Sequence, residues 1–220
     1  MDRIIKVTGK GKISVKPDTI KLNIEAEGVY KEYEQAVKKS TEATCILRET
    51  LEKAGLKAED LKTVHFDIDS EYESYRDKND DYRSRFVGYK YTHSMYIQFL
   101  SDNKQLGRVL YELAHCNVNV EFSICYTVKD ADAVKNELLG KAVEDSKVKA
   151  NVLAKAAGVS LGEIKSIDYS WGEIKIFSKP LNLGSCDMLL AEAEPKPYDI
   201  DIEADDIDVQ DTVTIVWEIK

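Results

Sequence analysis

The opening stretch of this chain, residues 4–18, restricts its fold more than any other. Apolar Ile5, Val7, Ile13 and Val15 take odd positions, and Lys6, Lys10, Lys12 and Lys16 take even ones. Side chains of an extended strand alternate between faces, so this is a strand with one buried and one wet side. Gly9 and Gly11 fall on the buried side. A glycine there marks a bend, a bulge or the close approach of another backbone. Pro17-Asp18 reads as a turn. Ile20, Leu22, Ile24 and Ala26 then alternate in the opposite parity, as the return strand of a hairpin would.

The remaining chain alternates strands with helices. Residues 30–54 read as a helix, because Tyr33, Val37, Ser40, Thr44, Leu47, Leu51 and Ala54 recur at three- and four-residue steps before Gly55. Residues 61–75 read as a strand with Val64, Phe66 and Ile68 inward. A polar turn follows at 77–81, then a returning strand at 85–100. With the turn centred on Asn79, Asp69 falls opposite Lys90. Asp102 and Asp130 cap two further helices, to about 115 and 157, on either side of a strand at 118–128. The second of these has the inner line Val134, Leu138, Ala142, Ser146, Ala150, Leu153 and Ala157. Strands are expected at 164–177, bent near Gly172, and at 207–219. The order predicts an α+β fold, with antiparallel, hairpin-rich sheets and helices packed on one face.

Composition narrows the function classes. The net charge is −9, and residues 181–211 hold ten acids against one base, so that segment carries the whole imbalance. A neutral remainder lacks the basic footprint that nucleic-acid binding needs. No run approaches the roughly 20 apolar residues of a membrane helix, so no membrane span is expected. Met1-Asp2-Arg3 leads directly into the first strand, which fits a cytoplasmic chain, or a periplasmic or exported one whose leader has been removed. Cys45, Cys116, Cys125 and Cys186 show no tight spacing and read as small buried hydrophobes. Residues 180–206 form an irregular segment with three of the four prolines.

The candidate chemical motifs fail one by one. Gly9-Lys10-Gly11-Lys12 lies inside strand alternation, whereas a phosphate loop needs a helix to follow. His65 faces out and His93 faces in, so they diverge rather than share a metal. A calcium loop beginning at Asp199 would need glycine at 204 and glutamate at 210, where the chain has Ala204 and Gln210. There is no Gly-x-Ser-x-Gly elbow. Trp171, Trp217 and the twelve tyrosines suit half-buried strand faces. No catalytic, cofactor-binding or metal-ligating residue is assigned, and no cofactor is expected. Charge complementarity nominates one assembly surface: Lys6, Lys10, Lys12 and Lys16 against Asp199, Asp201, Glu203, Asp205 and Asp206 of a neighbouring copy.

Several blocks together resemble the SIMPL-domain family (DUF541). They are Val7-Thr8-Gly9-Lys10-Gly11 with Pro17-Asp18, Val64-His65-Phe66-Asp67-Ile68, and Gly88-Tyr89. The Ala- and Lys-rich helix ending at Gly158 and the closing Val213-Thr214-Ile215-Val216-Trp217 complete the set in the family's order. The resemblance implies one SIMPL-type domain over 1–220, built as two interleaved α/β lobes. It also implies export in many relatives, links to oxidative-stress tolerance and association with a signalling kinase. No family reaction is established, so no catalytic position carries over. The expectation is a non-enzymatic homo-oligomer that binds a protein partner. The alternatives are a small-ligand module with a pocket between the lobes and, further off, a hydrolase or redox enzyme.

Overall fold

The computed structural model describes residues 3–169, 174–185 and 201–220. The chain folds as an α+β protein with two antiparallel sheets. Its described elements are β1 (Ile4–Val15), β2 (Thr19–Tyr30), α1 (Tyr33–Lys53), β3 (Lys62–Arg76), β4 (Tyr82–Leu100) and α2 (Asn103–Ala114). After these come β5 (Val120–Thr127), α3 (Ala131–Ala156), β6 (Leu161–Asp168), β7 (Leu181–Ser185) and β8 (Ile207–Ile219). They divide into two interleaved units. One is built from β1, α3, β6 and β8; the other from β2 through β5 with β7.

The smaller unit is a three-stranded sheet, β1-β8-β6, covered by α3. Val7, Ala142, Ala150, Val213, Ile215 and Trp217 form one core cluster. Ile13, Leu138, Ile176 and Val209 belong to a second. The two glycines explain how α3 comes so near. A Cβ on Gly9 would overlap the Ala142 carbonyl oxygen and lie 2.7 Å from the Ser146 Cβ; one on Gly11 would overlap the Leu138 carbonyl oxygen. Of the three readings of these glycines, the close approach of another backbone is the one realised. The small residues Ala142, Ser146 and Ala150 supply the matching flat face on the helix.

β1 does not pair with β2. Its partner is β8, with Val7 opposite Ile215 and Ile13 opposite Val209. Pro17-Asp18 therefore does not close a hairpin. Asp18 instead takes the Lys129 N–H on its carboxylate at 2.8 Å and donates its own N–H to the Thr127 carbonyl. Its role is to anchor the end of β1.

The larger unit is a five-stranded sheet in the order β3-β4-β2-β5-β7. Ile20, Leu22, Ile24 and Ala26 of β2 are buried beside Met95 and Ile97 of β4. α1 packs on β2 and β4 through Ala36, Ser40, Ala43, Leu47 and Leu51, and α2 packs against α1. Each large side chain so buried stabilises by about 2 kcal/mol. Tyr33, Val37 and Leu153, which periodicity placed inward, are exposed. The alanines Ala36, Ala43 and Ala154 are buried in their stead, since a short side chain lets a helix sit closer to a sheet. The Asp102 and Asp130 caps form as expected, accepting from Lys104 N–H and Ala133 N–H. β7 is a strand inside the segment expected to be irregular. β6 ends at Asp168, and Phe177, expected within the same strand, makes an isolated bridge with Thr127. Trp171, Gly172, Cys186 and Asp199 lie outside the described residues.

Candidate functional site

The two sheets end in different ways. β1 is the outer strand of the smaller sheet, and α3 reaches over its free edge. The Lys10 backbone N–H donates to the Asp145 carboxylate at 2.7 Å, and Lys149 Nζ donates to the Thr8 carbonyl at 3.3 Å. Asp145 and Lys149 are themselves paired at 2.6 Å. Lys149, together with the Lys10 N–H, holds the Asp145 carboxyl below its ordinary range. Such side-chain bonds remove the unpaired backbone groups that make an edge strand a template for another chain.

β3 ends the larger sheet with no strand on its outer side among the described residues. Val64 is 65% exposed and Phe66 is 46% exposed, so the expected inward face of this strand is not covered. Alternation gives a strand two faces, but only neighbouring elements decide which is buried, and α1 sits over β2 and β4. A register shift between Thr63 and His65 further turns Val64 away from Phe66's side. Asp69 does fall opposite Lys90, although the Lys90 ammonium pairs with Glu27 on β2, at 2.6 Å.

Beyond the sheet β3 and β4 continue alone. β2 pairs with β4 only from Tyr89 to Leu100, while β4 begins at Tyr82. Residues 70–88 therefore form a two-stranded ribbon, and such ribbons are marginal in water by themselves. Ion pairs stitch this one: Arg85 to Glu73 at 2.7 Å, Arg83 to Asp77 at 3.0 Å and Arg76 to Asp80 at 2.8 Å. An aromatic row runs along it. Tyr33 of α1 meets Tyr89 edge to face at 5.6 Å, Tyr89 meets Phe86 at 5.3 Å, and Phe86 meets Tyr72 at 5.7 Å. Tyr72 is 58% exposed, Phe86 47% and Tyr82 74%. Sequence reading missed this row because tyrosines on alternating strands look like core. The signal that could have found it is length: β3 and β4 outrun every strand that could flank them.

At the rooted end of the hairpin, His93 is buried under α1. Thr44 Oγ1 donates to the Ser40 carbonyl, so His93 Nδ1–H donates to Thr44 Oγ1 at 3.2 Å, and Nε2 accepts from the Thr63 hydroxyl at 2.9 Å. Burial first, and the Arg48 charge second, push this imidazole below its usual pKa. His65 lies opposite Ser94 and Phe66 opposite His93, so the two histidines do diverge.

The four nominated lysines, Lys6, Lys10, Lys12 and Lys16, are all exposed along and just after β1. Asp201, Glu203, Asp205 and Asp206 are exposed too. Among the described residues no ion pair within the chain joins the two sets. Cys125 is buried and Cys116 partly so, and burial pushes both thiols up; Cys45 is exposed on α1, against expectation. A cleft of about 510 Å³ opens in the larger unit, lined by Lys21, Asn23, Glu25, Ser94, Glu121 and Ser123 among others. Small-molecule pockets are mostly apolar with a few polar anchors, and this lining mixes the two, with Ile24, Met95 and Phe122 beside the polar groups. Among the described residues no cluster of three or more His, Cys, Asp or Glu could hold a metal ion, and no helix is long and apolar enough to cross a membrane.

Comparison with known proteins agrees with the arrangement of the blocks. The chain is 29% identical over 216 residues to the 26 kDa periplasmic immunogenic protein of Brucella abortus (strain S19), an alignment covering 98% of this chain and 84% of that protein. It is 28% identical, with the same coverage, to the protein of that name from Brucella melitensis biotype 1. Residues 5–217 match the family described as SIMPL, protein of unknown function (DUF541), and the chain belongs to that family.

Proposed function

We propose that this protein acts without chemistry of its own, by assembling with copies of itself and binding a protein partner, and that the β3–β4 ribbon is the principal contact surface. The observation that carries this reading is the exposed aromatic row on a ribbon that the rest of the sheet does not support. Ordering such a ribbon costs conformational entropy, and aromatic side chains on it gain their burial energy only in a contact. Tyrosine and phenylalanine are also the residues enriched at interface centres. The lysines of β1 and the acids at 201–206 offer a second, electrostatic contact between copies. The Brucella relatives are named periplasmic, and the same compartment is the one we assign to this chain.

Light scattering after size exclusion, over a salt series, tests the reading. A discrete closed oligomer is expected, because symmetric contacts close. The double variant Tyr72→Ser/Phe86→Ser should lower its mass while leaving the far-ultraviolet circular dichroism unchanged. Reversing the charges of Lys10 and Lys12 should weaken it only at low salt. A monomer at every concentration and salt would overturn assembly.

A further inference from the structure

The outer edge of β3 has a chemistry of its own. Asp67, Asp69, Glu71 and Glu73 alternate along one face of the strand. Glu73 has Arg85 across from it, but among the described residues no ion pair reaches Asp67, Asp69 or Glu71, and Lys90, opposite Asp69, is held by Glu27. The local surplus is visible in Asp69, whose carboxyl the neighbouring Asp67 raises above its ordinary pKa. The opposite face of the strand carries Phe66, Ile68 and Tyr72. On the strand the Ile68 N–H donates to the adjacent Asp67 carboxylate at 2.9 Å, a local bond that an added strand would displace.

We propose that the β3 edge accepts an added strand from a protein partner, and that the strand is basic: an extended segment with Lys or Arg at every second position and apolar residues between. An exposed edge supplies the backbone hydrogen bonds of strand addition, and alternating side chains supply its specificity. The acids select the cations and the apolar face takes the intervening side chains. The two obvious occupants from this same chain fit less well, one by charge and one by backbone occupancy. Antiparallel pairing of β3 with β3 of a second copy would set acids against acids. β1 of a second copy has alternating lysines, but α3 lies over its middle, where Asp145 and Lys149 already hold the Lys10 N–H and the Thr8 carbonyl. The inference rests on the partner-binding half of the proposed function and is independent of self-assembly.

The probe is a synthetic peptide of about ten residues, alternating lysine with valine, long enough to lie along most of β3. Its control is the same peptide N-methylated at every backbone nitrogen, equal in charge but with no N–H left on either edge to extend a sheet. Both are titrated into the full-length chain by fluorescence anisotropy, with hydrogen exchange and solution mass read on the same samples. The unmodified peptide should bind roughly tenfold tighter than its control, and protect amides of residues 65–69, outside the ribbon. Asp67→Asn/Asp69→Asn/Glu71→Gln should weaken it by about tenfold and flatten its salt dependence. These side chains are on the surface, so the variant folds, which circular dichroism checks. Equal binding of the two peptides, protection elsewhere, or no binding would overturn the inference. So would residues 65–69 already protected in the peptide-free oligomer, which would assign this part of the edge to a second copy. An unchanged oligomer mass with no peptide binding would overturn the edge alone; a monomer that still binds the peptide would overturn assembly alone.

Discussion

β1 and β3 are both outer strands, and they meet the same physical problem in opposite ways. β1 lies against α3, and the Asp145–Lys149 pair holds the Lys10 N–H and the Thr8 carbonyl at the middle of the strand. β3 is longer, carries exposed Val64 and Phe66, and ends in a ribbon with an aromatic row. An edge with unpaired groups is a liability for a soluble protein, and charge is one of the devices that manage it. The difference teaches where contact is to be sought. The edge that is sealed with specific side chains is structural; the edge left open but made acidic discourages its own kind while remaining available to an opposite charge.

The largest test of this contrast is at the sealed strand. Gly9→Ala forces a Cβ into the Ala142 carbonyl and should cost about 3 kcal/mol in urea unfolding, because a packed backbone contact cannot yield. Gly140→Ala, on α3 with nothing within 4 Å, is the matched control and should stabilise by about 0.8 kcal/mol. If both glycines tolerate alanine alike, α3 does not clamp β1.

A smaller effect follows from unsealing the edge. Asp145→Ala leaves the Lys10 N–H without its acceptor, and that amide should exchange roughly tenfold faster. The variant should also associate more readily at high concentration. Unaltered exchange would mean the carboxylate contributes nothing to closing β1.

The smallest effect concerns the root of the open hairpin. His93 has its pKa depressed by burial, with Arg48 adding to it. A histidine lowered on folding binds protons less readily than the unfolded chain does. Its contribution is therefore whole above the ordinary histidine range and is lost as pH falls through that range toward the folded value. Melting temperature should drop as the solution is acidified from about pH 7.5 to about 5, and His93→Gln should reduce that drop by a few degrees. An equal drop in the variant would place the acid sensitivity elsewhere.

Much of this could be read from the sequence, and the failures share a cause. Gly9 and Gly11 marked a special site on the buried face, with a bend, a bulge and a close backbone approach all open; the Asp102 and Asp130 caps were readable, and Ile207–Ile219 is a strand over the expected residues. Those are local facts. The partner of β1 is not local: alternation fits any strand of matching register, and nothing near Pro17 names β8, almost two hundred residues away. Val64 and Phe66 failed for the same reason, since periodicity defines faces but not their cover. The ribbon row stayed hidden because Tyr72 and Phe86 look identical as core and as contact. Asp69 was expected opposite Lys90, which it is; that the strand is also an edge needed the sheet order.

The most direct test of the account is hydrogen exchange, read by mass spectrometry on the native protein at concentrations below and above its assembly transition. The account predicts that peptides covering the ribbon, residues 70–88, gain protection on assembly while those covering β1 are protected alike in both. Protection gained at β1, with the ribbon exchanging freely throughout, would contradict it.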